Sequence, residues 1–292
     1  MLRERAMNPS KPIFVAFFIA SKNSSSHFES HSRNPVSASI PLAKKRSVWL
    51  FLYVVTAKKP ECQTCSSRLL GLLCNLEGEA LKECNQHKTT NSYKKGQVIF
   101  YEGNHAYGLY CIFAGRVKLF KSSVDGKQQI VRIAGPGDLL GYRSLFSDEP
   151  YAANAEVLED ATICCIDKDA FFPLLSKNPD LALNIIKKLS RELRFAERLA
   201  TSMAQHSVRE RMAELLLILQ ESYGKPVNPN GKGVRINLAL SRRELGEMIG
   251  ITEETAIRLL SEFKQDGMID VKEREITVLN PKALLDIARI ET

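Results

Sequence analysis

The stretch Leu240-Ser-Arg-Arg-Glu-Leu-Gly-Glu-Met-Ile-Gly-Ile-Thr-Glu-Glu-Thr-Ala-Ile-Arg-Leu-Leu-Ser-Glu-Phe-Lys-Gln-Asp-Gly267 decides how the chain is read. Ser241-Arg-Arg-Glu244 has capping-box spacing: the Ser oxygen and the Glu carboxylate each satisfy an amide left free at a helix start. A short helix follows, with Leu245, Met248 and Ile249 on one face. Gly250 supplies a left-handed turn conformation. Thr252 caps a second helix, expected over Glu253–Asp266 and stopped by Gly267, with Ala256, Leu259, Leu260 and Phe263 facing inward. Two helices joined by so short a Gly-containing turn make a helix-turn-helix. Met268–Val271, Lys272-Glu-Arg274 and Glu275–Leu279 then read as strand, turn and strand, a wing. The residues expected to meet DNA are Arg242 and Arg243 beside the first helix, and Thr252, Glu253, Glu254, Thr255, Ile257 and Arg258 at the start of the second. Arg bonds guanine bidentately, and Glu accepts from cytosine N4. Glu254 and Arg258 are one turn apart, so they read equally as a surface ion pair worth about 0.3–0.5 kcal/mol.

Working upstream, Ser207-Val-Arg-Glu210 is another capping box and opens a helix over 208–223, stopped by Gly224. Gly224–Gly233, with Pro226 and Pro229, reads as a surface connection. Pro179 opens a longer helix at its favoured first-turn position. Apolar residues recur there at Ala182, Ile186, Leu189, Leu193, Ala196, Ala200 and Met203, in alternating steps of four and three. That is a coiled-coil seam, and the small residues at 196 and 200 let a second helix approach closely. The expectation is self-association, with packing on the chain's own core as the alternative.

From Tyr93 to Asp167 short apolar runs alternate with turns. The runs are Gln97–Tyr101, Leu109–Phe113, Arg116–Phe120, Gln129–Ile133 and Ala161–Ile166. Asp125-Gly126 is a hairpin signal, and Ala114-Gly115 reads as a further turn. The spacing points to an antiparallel barrel or sandwich. Gly135-Pro-Gly137-Asp-Leu-Leu-Gly141 has the wrong spacing for a dinucleotide loop. No nucleophile elbow, P-loop or zinc-protease helix is present, so an enzyme is not expected.

The 292 residues are 44% hydrophobic and 25% charged, which suits a globular chain of more than one domain. No apolar run reaches the ~18 residues of a spanning helix, so no membrane role is expected. Residues 1–60 hold ten Lys/Arg against Glu4 and Glu29 and carry the whole net charge of +8. DNA binding must therefore rest on local pattern. Ile13–Ala20 after a basic start has a trace of signal-peptide character, and the acid-poor, Ser-rich composition one of a transit peptide. The tail is read as a disordered extension or as translation from an upstream start, outside the fold. Domains are expected at 61–178, 179–206 and 207–292, in the cytoplasm.

Seven cysteines are an odd number for a chain that has no need of disulfide staples. Cys62-x2-Cys65-x8-Cys74 can grip a metal or cluster, but a fourth ligand is required. Ordinary reduced thiols are the alternative.

Barrel, heptad helix and winged helix-turn-helix in this order resemble the Crp/Fnr family of bacterial transcription regulators, over roughly residues 61–290. The resemblance is carried by residues 93–100, 108–118, 135–141, 207–211 and 252–260. It implies an α+β fold: an amino-terminal antiparallel β-roll like a cyclic-nucleotide-binding jelly roll, a long dimerisation helix and a carboxy-terminal winged helix-turn-helix. It also implies a homodimer on a two-fold symmetric DNA site, with RNA polymerase as partner. The family's recognition motif Glu-Thr-x-x-Arg falls on Glu254, Thr255 and Arg258. Where the cyclic-AMP-binding branch has Gly-Glu and Arg-Ser-Ala, this chain has Gly141-Tyr142 and Tyr151-Ala152-Ala153, so cyclic AMP is not expected. Cys62, Cys65, Cys74 and Cys164 resemble the Fnr-like ligands of an oxygen-sensitive [4Fe-4S] cluster; the x8 gap and the neighbouring Cys165 depart from that pattern. Two alternatives stay open. One is an iron–sulfur or zinc redox protein whose helix-turn-helix binds protein; the other is the same regulator sensing an unknown small ligand.

Overall fold

The computed structural model describes residues 13–14, 60–73, 75–227 and 233–289. Cys74 and the rest of the 1–60 tail, apart from Pro60, lie outside them. The roll is an antiparallel sheet of β1 (Ile13–Phe14), β2 (Lys88–Tyr93), β3 (Val98–Phe100), β4 (Gly108–Ser122), β5 (Gln128–Ala134), β6 (Leu139–Leu140) and β7 (Asn154–Asp167). β4 and β7 form its spine, with β5 and β2 outside them. Short helices dress it: α1 (Ser66–Leu70), α2 (Gly78–Gln86), α3 (Tyr142–Ser147) and α4 (Lys168–Lys177).

β4 corrects the expected turn at Ala114-Gly115, because one strand runs straight through it. Gly115 sits at φ +85°, and a Cβ there would lie 2.4 Å from the Asp160 carbonyl. The glycine lets the strand bulge against β7 instead of ending it.

The long helix α5 (Pro179–Gln205) leads to α6 (Val208–Tyr223), and the Ser207–Glu210 capping box is formed. The rest is α7 (Arg242–Ile249), α8 (Glu253–Gln265), α9 (Pro281–Ala288) and a small sheet in the order β10-β11-β9-β8. Its strands are β8 (Gly224–Pro226), β9 (Val234–Ile236), β10 (Ile269–Lys272) and β11 (Glu275–Val278). The supposed surface connection at Gly224–Gly233 therefore begins as a strand, and the wing is half of a four-stranded sheet. Three-residue strands are too short to show a period.

Two cores result. One fills the roll around Leu109, Ile112, Ile163 and Phe171 and takes in Leu181 and Ile185 of α5. The other gathers α6–α9 around Met212, Met248 and Phe263, and recruits Phe120, Ile130, Ile133 and Leu158 from the roll. Gln129 Nε2 also donates to the Met248 carbonyl at 3.2 Å. Roll and helix-turn-helix are thus in direct contact.

α5 carries a buried face and, beside it, an exposed apolar stripe. Leu181, Ile185, Glu192, Leu199 and Ser202 are buried on its own chain. Between Ile185 and Leu199 the buried contact is ionic. Arg132 Nη2 lies 2.9 Å from Asp138 Oδ1, and Lys188 Nζ 3.2 Å from the same oxygen. Glu192 Oε1 lies 3.7 Å from Arg132 and 3.6 Å from Lys188. The expected seam occupies the exposed stripe: Ile186 is 58% exposed and Leu193 63%. Leu189 and Met203, at its edge, are half-buried against the chain's own cores.

Replacing Glu192 by Ala removes a buried carboxylate that lies beside two buried cations, Arg132 and Lys188. Breaking a buried pair from one side costs about 3–5 kcal/mol. Denaturant unfolding of Glu192→Ala should show a loss of that order, whereas Ser241→Ala, which removes one helix cap, should cost only about 1 kcal/mol.

Candidate functional site: nucleic-acid interface and thiol cluster

The helix-turn-helix is built as its local chemistry dictates. Ser241 and Glu244 form their reciprocal box, Gly250 adopts φ 70°, and Thr252 accepts from the Thr255 amide. Ala256, Leu259, Leu260 and Phe263 are buried on the inner face of α8, which leaves Glu253, Glu254, Ile257 and Arg258 outside. Ile257 is 48% exposed, and the Arg258 side chain 65%. Thr255 is drawn back to Thr252, with the two hydroxyls 3.2 Å apart, so it serves the cap.

The (i, i+4) pair between Glu254 and Arg258 is not formed. Arg258 Nη1 instead donates to Glu262 Oε1 at 3.3 Å, one turn further on. The Glu254 carboxylate turns towards the helix start, where its own backbone amide and the Thr252 side chain hold it below the usual carboxylate range. Free amides and the helix dipole offer a carboxylate more there than an exposed guanidinium does. Glu262 is also gripped by Arg209 of α6, at 2.7 Å, and Arg209 takes Asp266 with its other nitrogen, at 2.8 Å. Sequence reading missed this buttress, although the Arg258–Glu262 spacing signalled it.

The two arginines of α7 divide. Arg242 donates to the Glu273 carbonyl in the wing turn, so it ties wing to helix rather than standing free for phosphate. Arg243 is exposed and leans on Glu247 at 2.9 Å. Lys272 and Arg274, exposed at the wing tip, also went unassigned.

The second candidate region is where the thiols lie. The turn Cys62–Thr64 and α1 wrap around Arg68, whose guanidinium bonds the carbonyls of Cys62, Leu73 and Leu76 at 3.0, 3.3 and 3.0 Å. Ser67 Oγ donates to the Phe113 carbonyl at 2.6 Å and pins this segment to β4. Gly71 meets Gly137 so closely that a Cβ would come within 1.9 Å of the Gly137 carbonyl. Cys164 on β7 lies across from Cys111 on β4 and Thr90 on β2. Cys62 lies 4.0 Å from Cys84, and Lys88 donates to its sulfur at 3.4 Å. The Cys84 contact, then Lys88, hold the Cys62 thiol down at about 6 against the opposing effect of burial. Burial, then the neighbouring Cys164, Cys65 and Cys62, push the Cys111 thiol up. Cys84 and Cys111 were not singled out from the sequence.

Cysteine sulfur is the donor type that an iron–sulfur group takes. Among the described residues, no three His, Cys, Asp or Glu side chains are arranged to hold a metal ion, and Cys74 lies outside those residues.

Inside the roll, Tyr151 stacks on Phe100 with ring centroids 4.0 Å apart. With Arg132, Gly141, Tyr142 and Ala153 they line a cavity of about 30 Å³. Small-molecule sites usually need roughly 300 Å³. No described helix is long and apolar enough to cross a membrane.

Residues 90–178 match the cyclic nucleotide-binding domain family, and residues 210–287 the Crp-like helix-turn-helix domain family. The regulatory protein HlyX of Actinobacillus pleuropneumoniae is 30% identical over 219 residues, covering 74% of this chain and 89% of that protein. The fumarate and nitrate reduction regulatory protein of Vibrio cholerae is 28% identical over 231 residues, covering 78% and 90%. A CRP-like cAMP-activated global transcriptional regulator of Mycobacterium tuberculosis is 24% identical over 219 residues, covering 75% and 96%. Among solved structures, FixK2 from Bradyrhizobium japonicum superposes with a TM-score of 0.61 at 26% identity, over 70% of this chain and 99% of that one. With a capped helix-turn-helix that leaves its reading face open, and with this kinship along most of its length, the chain belongs to the Crp/Fnr family of DNA-binding transcription regulators.

Proposed function

We propose that the protein works as a cytoplasmic homodimer, reads a two-fold symmetric DNA site and regulates transcription together with RNA polymerase. One observation carries this reading: α5 leaves Ile186 and Leu193 bare, away from its ionic attachment through Lys188 and Glu192. An apolar stripe at heptad spacing on a helix already anchored to its own chain is suited to a second copy of itself. Pairing through it sets two α8 helices against one duplex, and half-site spacing then follows from the dimer.

In each half-site, Arg258 leaves Glu262 for guanine O6 and N7, and Glu262 keeps its second cation, Arg209. Arg243, Lys272 and Arg274 take phosphates, while Arg242 holds the wing.

For the signal, we propose that Cys62, Cys65, Cys74 and Cys164 hold an oxygen-sensitive [4Fe-4S] cluster. The lowered Cys62 thiol, the presence of Cys62 and Cys65 among the groups acting on Cys164, and the likeness to the Vibrio cholerae protein support this. Such a cluster, when bound, supplies an oxygen-labile redox centre. Cyclic AMP is not the proposed ligand: the cavity lined by Tyr142 and Tyr151 is about 30 Å³, and Gly141-Tyr142 and Tyr151-Ala152-Ala153 stand where the cyclic-AMP-binding branch has Gly-Glu and Arg-Ser-Ala. Whatever is bound must favour one of two arrangements of the dimer seam, because only a difference in affinity moves such an equilibrium.

Three measurements test these readings. Leu193→Asp should convert the dimer to monomer in analytical ultracentrifugation and abolish high-affinity operator binding; a dimer that survives it rejects the seam. Arg258→Ala should cost about 1–3 kcal/mol at one base pair of each half-site and flatten preference there in a binding-site selection. Anaerobic purification should yield a coloured, iron-containing protein that bleaches in air and loses operator affinity with its colour, and Cys164→Ser should abolish the iron content. A colourless protein that still binds its operator would point instead to an unidentified ligand.

A further inference from the structure

We propose that Cys62 and Cys84 are a peroxide-responsive dithiol that closes to a reversible disulfide. Their sulfurs lie 4.0 Å apart. The segments that carry them are already linked: the Cys62 backbone amide donates to the Asn85 side-chain Oδ1 at 2.9 Å, and Asn85 directly follows Cys84 on α2. Closing the bond therefore needs side-chain rotation and a small local shift, not a rearrangement of the fold. Access divides the roles. Cys62 is half-buried at the surface and meets the oxidant first; Cys84, 3% exposed beneath it, is the resolving thiol. Cys65, the obvious competitor, has its sulfur engaged in capping α1, where it accepts from the Arg68 amide at 3.3 Å. Lys88 Nζ, 3.4 Å from the Cys62 sulfur, can donate a hydrogen bond to the departing oxygen.

The oxidant is a hydroperoxide. The Cys62 sulfur attacks the outer peroxide oxygen, and the O–O bond breaks. The leaving oxygen takes the thiol proton and departs as an alcohol, or as water when the oxidant is hydrogen peroxide. Cys62 is left as a sulfenic acid. The Cys84 sulfur then attacks the Cys62 sulfur. The S–OH bond breaks, and hydroxide leaves as water with the Cys84 proton. Two thiols have been oxidised by two electrons, and one hydroperoxide has been reduced. Cellular thiols reverse the bond by exchange. Reversible, signal-linked disulfides of this kind are the ones a reducing compartment tolerates. The disulfide also withdraws Cys62 from the thiols assigned to a cluster, so oxidation and cluster loading exclude each other; this consequence alone rests on the cluster reading.

Trypsin separates the candidates. Cys62 and Cys65 lie on the peptide ending at Arg68, Cys74 between Leu69 and Lys82, and Cys84 between Glu83 and Lys88. The full-length protein, reduced, desalted without oxygen and treated with hydrogen peroxide, is alkylated, digested and analysed by mass spectrometry. The expected result is a cross-link between the peptide ending at Arg68 and Glu83–Lys88, a loss of two free thiols per chain, and full reversal by dithiothreitol. Cys65→Ser should retain that cross-link. Cys84→Ser should abolish it and leave Cys62 as a sulfenic acid that dimedone traps. A Cys62–Cys65 bond, a cross-link to the Cys74 peptide, or no cross-link to Glu83–Lys88 in the wild-type protein overturns the proposal. Iron content of anaerobic Cys84→Ser reports separately on the cluster, because Cys84 is not one of its four assigned ligands: iron is retained if those ligands are right.

Discussion

Helix α5 must satisfy two surfaces with one sequence. On one side it is fastened to the roll by Arg132, Asp138, Lys188 and Glu192, with Ile185 and Leu199 also buried on the chain's own cores. On the other it keeps an apolar stripe bare. Buried ions contribute little net stability, because desolvation consumes most of the attraction. They are demanding about position, however, since each charge left without its partner is costly. A contact of this kind fixes the rotation of α5 about its axis, and with it the direction in which Ile186 and Leu193 face. Arg132 and Tyr142 also line the small cavity of the roll, so the fastening and the cavity share side chains.

The second core carries that placement to the reading head. Phe120, Ile130 and Ile133 of the roll are buried with Met248 and Phe263 of the helix-turn-helix. Arg116 adds a stacking contact over Tyr223, 5.1 Å from the ring centre. Roll, α5 and α7 are therefore packed as neighbours in this arrangement. Roll and helix-turn-helix thus meet through packed side chains rather than only through the connecting chain. Coupling through a shared core is expected to be all-or-none, because packed interfaces hold discrete arrangements instead of deforming smoothly.

Much of the reading head was legible in the sequence. The two capping boxes, Gly250 and Thr252 act through residues within a turn of one another, so their chemistry survives translation into structure unchanged. The roll was legible as a rhythm of strands, but Gly115 was misjudged. A glycine that ends a strand and one that bulges it look alike until the neighbouring strand is present. Side-chain partnerships on exposed faces were the least legible. Glu254 and Arg258 have the right spacing to pair, yet each finds a better partner: the helix start for one, Glu262 for the other.

The sequence by itself determined the order of parts, the capped helices, the heptad stripe of α5 and the family, because these depend on local pattern. Only the tertiary structure decided which face of α5 is fastened, that Arg242 belongs to the wing, and that Cys84 lies beside Cys62. Each of those contacts joins residues whose meeting is set by how the elements pack. Distance along the chain carries no record of it.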